Sequence, residues 1–536
     1  MVLCMKKSIS IFLTILMVFA LSSCGKKDEM NIYFPIENDV RSLDPQIVND
    51  SAGMMIALNI YDCLVKFGSN GEIIPAAAES WEITDGGLVY TFNISPNSTW
   101  YYTNTAKNGL GEKLPENLNK QVTAADFEFA LKRAVDPLTN SSERELLSGI
   151  QNAREILDGE KPVDELGVKA LSDKKLKITL TSSDDTFLEV LARPLAAPCN
   201  EIFFNATGGR YGMEMKYICS NGPFFLTRKN AGSYIRISKS DEYLGSTPPK
   251  LQAVWFYINA DKSLIPDKIK NGTYEAGFVD NFAASGFPDE YSKTETASAV
   301  RCLIFNTEDR YLKNTQLRKA ISTSISLDTI TEHFGATADS FITDNARKLM
   351  GDFKQTSSYK YDKTAAYDLL KKAYEDLKIT NIELTVSCTE EFEMPLKYIM
   401  QDWQEALGTS CSITLKVMTA SELRSAVRSG DYDIAFYTIP SYVDENKNFG
   451  VYVTDAENNL TKFKNENYDN IVESIKTSTE NAKRELCSAA EKYLYDQAVI
   501  RPISPIYEVL VVGEEAEGIY LQGSSALTYF HEAVRK

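Results

Sequence analysis

The sequence predicts an α/β fold, and three observations carry that prediction. Between residues 380 and 440, strand-like runs at 383–387, 413–417 and 432–437 alternate with helical patterns, as in parallel α/β domains. Upstream, Thr123 and Asp126 have the spacing of a capping box that starts a helix. Hydrophobic residues make up 43% and charged residues 24% of the 536 residues, which is typical of a globular protein with room for two or three domains.

The other elements follow from hydrophobic spacing and turn residues. Apolar residues at 127, 130, 131 and 134 recur at helical spacing after the capping box, and Asp136-Pro137 ends that helix. We expect the stretch 71–81, which contains Pro75, to be a loop. Alternation predicts strands at 31–34, 89–94, 176–180, 225–227, 234–238, 251–258, 301–306 and, as the last strand, 508–512. Helical spacing predicts helices at 52–64, from 317, at 362–377, 396–407 and 421–429, and over most of 466–497.

The amino-terminal stretch is typical of a signal peptide. Lys6 and Lys7 precede an apolar run at 8–20 that is too short to span a bilayer, and Leu21-Ser22-Ser23-Cys24 follows. This ending resembles the lipobox of bacterial lipoproteins, in which the cysteine is acylated. We therefore expect a signal peptide at 1–23, translation starting at Met5, lipidation at Cys24 and a tether at 24–30. The alternative is an ordinary cleaved signal that happens to contain a cysteine.

Charge and cysteine usage narrow the function classes. The net charge is −17, and loss of the leader removes two lysines and no acid. An acidic chain argues against nucleic acid, whose phosphates require cationic side chains, and favours cationic or neutral ligands. The seven cysteines after the leader are scattered, with no Cys-x-x-Cys pair, so we expect buried free thiols and no metal site. A bridge between Cys388 and Cys411, at the end and start of two predicted strands, remains open.

The order of short motifs along the chain resembles the solute-binding proteins of peptide-type ABC importers, the oligopeptide- and dipeptide-binding family. That resemblance implies a two-lobe, periplasmic-binding-protein-like (Venus flytrap) α/β fold with an extra α+β domain inserted in the first lobe. The motifs are Val40-Arg41-Ser42-Leu43-Asp44-Pro45, Pro75-Ala76-Ala77-Ala78-Glu79-Ser80-Trp81, Tyr90-Thr91-Phe92, Val122-Thr123-Ala124-Ala125-Asp126-Phe127, Leu166-Gly167-Val168-Lys169-Ala170-Leu171, Asn221-Gly222-Pro223-Phe224, Phe305-Asn306, Leu317-Arg318-Lys319-Ala320 and Gly430-Asp431-Tyr432-Asp433.

The resemblance also implies a domain plan and a role. Lobe one would comprise 31–54, 196–302 and a return at 505–536, with the family-specific insertion at 55–195 and lobe two at 303–504. The protein would be a monomer, lipid-anchored on the extracellular face of the cytoplasmic membrane of a Gram-positive-type bacterium. It would capture peptides, with oligopeptides as the expected ligands, by lobe closure and deliver them to ABC permease subunits. It would be no enzyme and need no cofactor.

Three candidate ligand contacts, Asp39, Phe129 and Phe278, lie far from one another in the sequence. Asp39 stands where relatives carry an acid just before the Leu-Asp-Pro turn, and the alternative is a solvated loop acid. Phe129 lies on the helix face where relatives place an aromatic near the pocket, and the alternative, which we prefer, is a core phenylalanine. Phe278 follows a segment that lines the cleft in relatives.

The most informative candidates lie between Tyr437 and Asp444. Relatives have an aromatic–x–x–aspartate run here, and the aspartate pairs with the amino terminus of the peptide. In this chain Ile439 replaces the aromatic, and Ser441 or Tyr442 replaces the aspartate. Asp444 is the nearest carboxylate and is our candidate substitute. The departure leaves room for modified peptides.

Three alternatives remain at this point. A surface hydrolase is the remote one, because neither His333 nor His531 lies in a metalloprotease motif and there is no Gly-x-Ser-x-Gly elbow. The same fold could instead bind a non-peptide solute such as a sugar; nickel is disfavoured by the scarcity of imidazoles. A receptor for signalling peptides has the same sequence features as a nutrient binder.

Overall fold

The fold is described from a computed structural model. It describes residues 30–114, 118–184, 186–245, 248–355, 358–442, 444–456, 459–522 and 527–536. The predicted signal peptide, Cys24 and most of the tether lie outside these residues. Within them, no helix is both long and apolar enough to cross a membrane.

The described strands fall into a few sheets, and their bounds are as follows. They are β1 (Asn31–Pro35), β2 (Val65–Phe67), β3 (Ile73–Pro75), β4 (Ala78–Thr84), β5 (Val89–Ile94), β6 (Val168–Ser172), β7 (Lys175–Thr179), β8 (Phe224–Asn230), β9 (Tyr234–Lys239), β10 (Ala253–Tyr257), β11 (Ala276–Val279), β12 (Ser292–Phe305), β13 (Ile382–Cys388), β14 (Cys411–Val417), β15 (Ile434–Pro440), β16 (Ile500–Val512), β17 (Ala516–Glu517), β18 (Tyr520–Leu521), β19 (Thr528–Tyr529) and β20 (Val534–Arg535).

The α-helices cover the sheets and carry most of the connections. Their bounds are Ser51–Ile60, Asn104–Leu110, Ala124–Val135, Ala153–Leu157, Phe187–Leu191, Glu201–Thr207, Ile265–Lys270, Asn281–Ser285, Thr315–Thr323, Leu327–Phe334, Asp344–Leu349, Lys363–Leu377, Glu393–Leu407, Ala420–Ser429, Glu445–Phe449, Glu466–Thr477 and Glu480–Asp496.

The sheets and buried clusters define two lobes. Lobe one contains the sheet β1-β10-β9-β8 and the sheet β4-β5-β7-β6, which share one continuous hydrophobic core. Lobe two is built on the sheet β11-β16-β12-β15-β13-β14, whose two faces are covered by separate clusters. The long strands β12 and β16 join the lobes, because they also pair near β11, where a further cluster packs against Tyr33 and Tyr257 of lobe one. The predicted two-lobe α/β fold with an inserted α+β domain is confirmed.

The predictions of a capped helix after Thr123 and of parallel strands in lobe two are confirmed. The helix Ala124–Val135 begins with the predicted capping box: Asp126 Oδ2 accepts hydrogen bonds from Thr123 N at 2.7 Å and Thr123 Oγ1 at 2.9 Å. Parallel pairing of β13 with β14 and with β15 gives the predicted strand–helix–strand–helix–strand unit.

The loop prediction for 71–81 is wrong. This stretch contains β3 and the start of β4, which pair with β2 and β5 respectively. Because β4 is the edge strand of its sheet and most of its residues are solvent-exposed, its sequence lacks the hydrophobic alternation that marks a half-buried strand.

The prediction that 508–512 is the last strand is also wrong. Strand β16 begins at Ile500, and four short strands follow it. Pro502 and Pro505 argue against a central strand, since proline cannot donate to a ladder. The register between β12 and β16 shifts twice, and one shift falls where Pro502 opposes Cys302 while Arg301 opposes Ser504. The bulge at this shift allows Pro502 to lie inside the sheet.

The cysteine prediction is confirmed, and the open question about a bridge is answered. All seven cysteines in the described part of the chain are buried and form no disulfide. Cys388 ends β13 and Cys411 starts β14, but the two strands are parallel, so Cys388 opposes Val417 and Cys411 opposes Ile382. Six residues of strand separate the two positions by about 20 Å, far beyond disulfide reach.

Candidate functional site

A cavity between the two lobes is the strongest candidate for a ligand site. Its volume is about 590 Å³, within the range of roughly 300–1,000 Å³ that is typical of small-ligand pockets. Lobe one lines it with Asn49, Met54, Ser142, Glu143, Glu145 and Leu146, and lobe two with Arg428, Tyr437, Thr438, Ile439, Pro440, Tyr442, Asp444, Lys447, Asn448, Val451, Tyr452 and Leu460.

On the lobe-one side, a turn and a helix start hold Asn49 and Met54 in place. The turn is closed at Asp44, whose carbonyl accepts the main-chain N–H groups three and four residues later. Asp50 then caps the helix Ser51–Ile60 through a 2.7 Å hydrogen bond from Gly53 N to Asp50 Oδ1. Burial raises the pKa of Asp50, while the bond from Gly53 opposes that shift. The Leu-Asp-Pro motif therefore positions the cavity wall.

On the lobe-two side, the end of β15 presents an unpaired strand edge. Strand β13 pairs with β15 only at Ile434 and Ala435. From Phe436 to Pro440, β15 pairs with β12 alone among the described residues. The edge beyond Ala435 is therefore open, and its last four residues line the cavity. An open edge of this kind can hydrogen-bond an extended chain, although Pro440 contributes no N–H donor.

The residues at the expected aspartate position form a tight loop. Ser441 is turned away from the cavity, since its Oγ accepts Thr343 N at 2.9 Å and its own N–H donates to Ser298 O. Tyr442 N donates to Asn448 Oδ1 at 3.0 Å, and Asn448 Nδ2 donates back to Tyr442 O at 2.5 Å. These bonds fix the Tyr442 backbone, while 41% of the residue remains exposed at the cavity.

Asp444 is buried and already engaged. Its Oδ1 accepts Lys447 N at 3.2 Å and caps the helix Glu445–Phe449. Its Oδ2 lies 4.0 Å from Lys447 Nζ. Lys447 Nζ in turn donates to the Ser142 carbonyl at 2.7 Å and lies 5.6 Å from the centre of the Tyr442 ring. Lys447 thus bridges the lobes across the cavity.

The structure does not bring the other candidates to this cavity. Asp39 Oδ2 accepts Gly232 N at 2.8 Å. The Phe129 ring packs at 5.7 Å on Phe204 against the lobe-one core, as the core alternative predicted. Phe278 lines a separate cavity of about 240 Å³ with ion-paired Lys262 and with Glu508, whose pKa is raised by burial. A ligand role for these three stays a prediction.

A third cavity lies beside the strands that join the lobes. Its volume is about 710 Å³, and its walls include Phe392 and Arg301, whose guanidinium lies 5.3 Å from the centre of the Phe392 ring. Burial lowers the pKa of Arg301. We give priority to the 590 Å³ cavity, because four of the predicted residues line it.

The sequence did not indicate the lobe-one wall of the cavity. Ser142, Glu143 and Glu145 lie in a polar segment without motif, and about 300 residues separate them from Lys447. One usable signal was the Asp444–Lys447 spacing, which is that of an N-cap and the third residue of a helix. That spacing predicts that Asp444 caps a helix.

Comparison with known proteins gives consistent results. Residues 72–460 match "Bacterial extracellular solute-binding proteins, family 5 Middle". The chain is 25% identical over 504 residues to the dipeptide-binding protein DppE of Bacillus subtilis, covering 92% of this chain and 89% of DppE. It is 25% identical to the oligopeptide-binding protein OppA of the same organism, covering 99% of this chain and all of OppA.

Solved structures that match the fold include a peptide-binding protein of the same kind. The structure of Listeria monocytogenes OppA bound to peptide matches with a TM-score of 0.68 and 21% identity, covering 95% of this chain and 99% of that one. The family and its named members are binding proteins, which confirms the prediction of a binding protein rather than an enzyme. With most of its length matched, the chain belongs to family 5 of the bacterial extracellular solute-binding proteins.

Proposed function

We propose that this chain is the solute-binding component of an ABC importer, that it captures peptides in the cavity between its lobes, and that it delivers them to a membrane permease. The open edge of β15 at the cavity is the observation that carries the proposal. Main-chain hydrogen bonds to such an edge recognise an extended peptide without reading its side chains. The peptide-binding names of the relatives support the same ligand class.

Capture by this route requires the lobes to move. Lys447 and Ser142 meet across the cavity, and Lys348 of lobe two lies 3.7 Å from Glu189 of lobe one. These contacts must part to admit a ligand and re-form around it. We keep the domain boundaries 31–54, 55–195, 196–302, 303–504 and 505–536 as part of this proposal, with β12 and β16 as the hinge.

Peptide capture is tested by native mass spectrometry of the purified protein with equimolar libraries of tri- to pentapeptides. Retention of intact peptide, together with a smaller radius of gyration in solution scattering, is the expected result. Failure of every peptide to bind would remove the proposal. Deletion of the cognate permease then separates uptake from signalling, because only an uptake role loses peptide import.

We also propose that Cys24 carries a lipid anchor on the extracellular side of the membrane. The support is the Leu21-Ser22-Ser23-Cys24 ending after a short apolar run. Cys24→Ser should release the protein from the membrane fraction, whereas the matched change Ser23→Ala should leave it there. Retention of the Cys24→Ser protein in the membrane fraction would contradict the anchor.

A further inference from the structure

Among the described residues, the carboxylates that line the cavity between the lobes are all engaged by cations of the protein. Glu143 forms a two-pronged ion pair with Arg193, and both side chains are largely buried. Glu145 Oε2 accepts Arg154 Nη1 at 2.8 Å. A paired and desolvated carboxylate has little attraction left for a further cation. Two of the three described acids in the wall, Glu143 and Glu145, are therefore already bound by the protein's own arginines.

The third acid, Asp444, is engaged twice. One oxygen caps the helix Glu445–Phe449, and the other faces the Lys447 ammonium. That ammonium also lies over the Tyr442 ring, beside the position where an amine-binding acid was expected. A ligand ammonium placed here meets a cation of like charge, and an aromatic ring that Lys447 already occupies.

Among the described residues of the wall, one cation remains unpaired. Arg428 is exposed and lines the cavity, and its guanidinium forms no ion pair or hydrogen bond with any residue that the structure describes. Among the described residues, the three wall carboxylates are paired with Arg154, Arg193 and Lys447, and Arg428 is left without an ionic partner. The unpaired charge among the described residues of the wall is therefore positive, although the whole chain is acidic. A guanidinium at a pocket wall matches a carboxylate or another planar anion.

We propose that the cavity selects peptides whose amino end carries no charge, such as N-acylated peptides, and whose anionic group meets Arg428. This inference rests on the proposed function and specifies the ligand of that same cavity. The preference arises from the engaged acids rather than from a dedicated pocket for the acyl group.

The test is a competition in native mass spectrometry. The same tri- to pentapeptide library is prepared with free amino ends and with acetylated ones, and the two are mixed in equal amounts with the purified protein. We expect acetylated peptides to be retained at least about tenfold over their free-amine partners. Equal retention, or a preference for the free amine, would overturn the inference and leave peptide capture intact. Absence of binding in both forms would instead remove the proposed function.

Arg428 is tested with the acetylated library in carboxylate and carboxamide forms. Wild-type protein should favour the carboxylate, and Arg428→Gln should abolish that preference. Arg424→Gln is the matched control, because Arg424 is an exposed arginine one turn earlier on the same helix and does not line the cavity. If the preference survives Arg428→Gln, or is lost equally in Arg424→Gln, the assignment of Arg428 is wrong.

Lys447→Met provides a test in the opposite direction. Loss of the ammonium frees Asp444 Oδ2 while the cap at Oδ1 remains. The ratio of free-amine to acetylated peptide should therefore rise at least several-fold. The ratio is the readout because the lost bond to Ser142 weakens lobe closure for both libraries alike. An unchanged ratio would contradict the role assigned to Lys447.

Discussion

The buried ion pair between Asp44 and Arg133 offers a test of how the cavity wall is held. Arg133 Nη2 lies 2.8 Å from Asp44 Oδ2, and the two side chains are only 11% and 4% exposed. The same guanidinium donates to Gln46 Oε1 at 2.7 Å and lies 4.0 Å from the centre of the Phe204 ring. The pair joins the Leu-Asp-Pro turn, which leads to Asn49, to the capped helix. Asp44→Asn removes the negative charge at nearly constant volume.

The magnitude follows from the charge that is left behind. Breaking a buried pair by removing one partner costs about 3–5 kcal/mol, because the other charge stays buried without compensation. Asparagine still offers Arg133 an acceptor, and Gln46 and Phe204 still contact it, so we expect the low end, about 3 kcal/mol. At roughly 2–4 °C per kcal/mol for domains of this size, the melting temperature should fall by about 6–12 °C.

The assay is urea unfolding followed by circular dichroism, with calorimetry for the melting temperature. Glu242→Gln is the control, since its pair with Lys120 is more than half exposed on both sides and should contribute no more than about 1 kcal/mol. The double variant Asp44→Asn/Arg133→Met should be less destabilised than the sum of the single variants, because no lone charge remains. A loss below about 1 kcal/mol for Asp44→Asn, or strict additivity, would refute the reasoning.

Three further predictions follow from buried groups. Burial holds the pKa of His531 well below its usual range, and the Lys66 ammonium, 3.4 Å from Nδ1, lowers it further. Because only the unfolded chain then binds a proton, the free energy of unfolding should fall as the pH drops below about 6.5, by up to about 1.4 kcal/mol per pH unit. His531→Gln should flatten that slope in urea titrations. Burial raises the pKa of Cys388 to about 11 and of Cys411 to about 12, so neither should react with a thiol reagent before unfolding. Gly212→Ala should unfold the chain at lower urea, since φ is +76° and a Cβ would lie 2.1 Å from the main-chain nitrogen of Asp44.

Sequence patterns predicted the elements whose local turn and capping signals agree with their burial in the folded protein. The capped helix at Thr123 and the parallel strands of lobe two carry both turn signals and buried faces. The prediction failed at β4, an edge strand whose exposed residues show no alternation, and at the first half of β16, where Pro502 is accommodated by a bulge. In both cases pairing with a neighbouring strand determines the conformation of the segment. The sequence of the segment alone does not show which strand will pair with it.

The same limit explains what the sequence indicated of the cavity. The lobe-two wall is continuous in the chain, so the departure at Tyr442 and the nearby Asp444 could be recognised there. The sequence did not reveal that the Lys447 ammonium lies beside the Asp444 carboxylate. Nor did it reveal that Lys447 donates a hydrogen bond to the Ser142 carbonyl of the other lobe. Those contacts depend on a tertiary arrangement across some 300 residues. In the structure Asp444 caps a helix, and its role as a partner of the ligand stays a prediction.

The net charge of the chain and the charge at the cavity wall predict ligands of opposite charge. The net charge of −17 favours cationic or neutral ligands, whereas Arg428 at the cavity favours an anion. At physiological ionic strength the Debye length is about 8 Å, so distant surface acids are largely screened and the contacting guanidinium should dominate. Raising the salt concentration should therefore weaken binding of an acetylated carboxylate peptide, by up to about fivefold for an exposed pair. Arg428→Gln should lose this dependence. If salt instead strengthens binding, repulsion by the acidic surface governs the ligand, and the local argument fails.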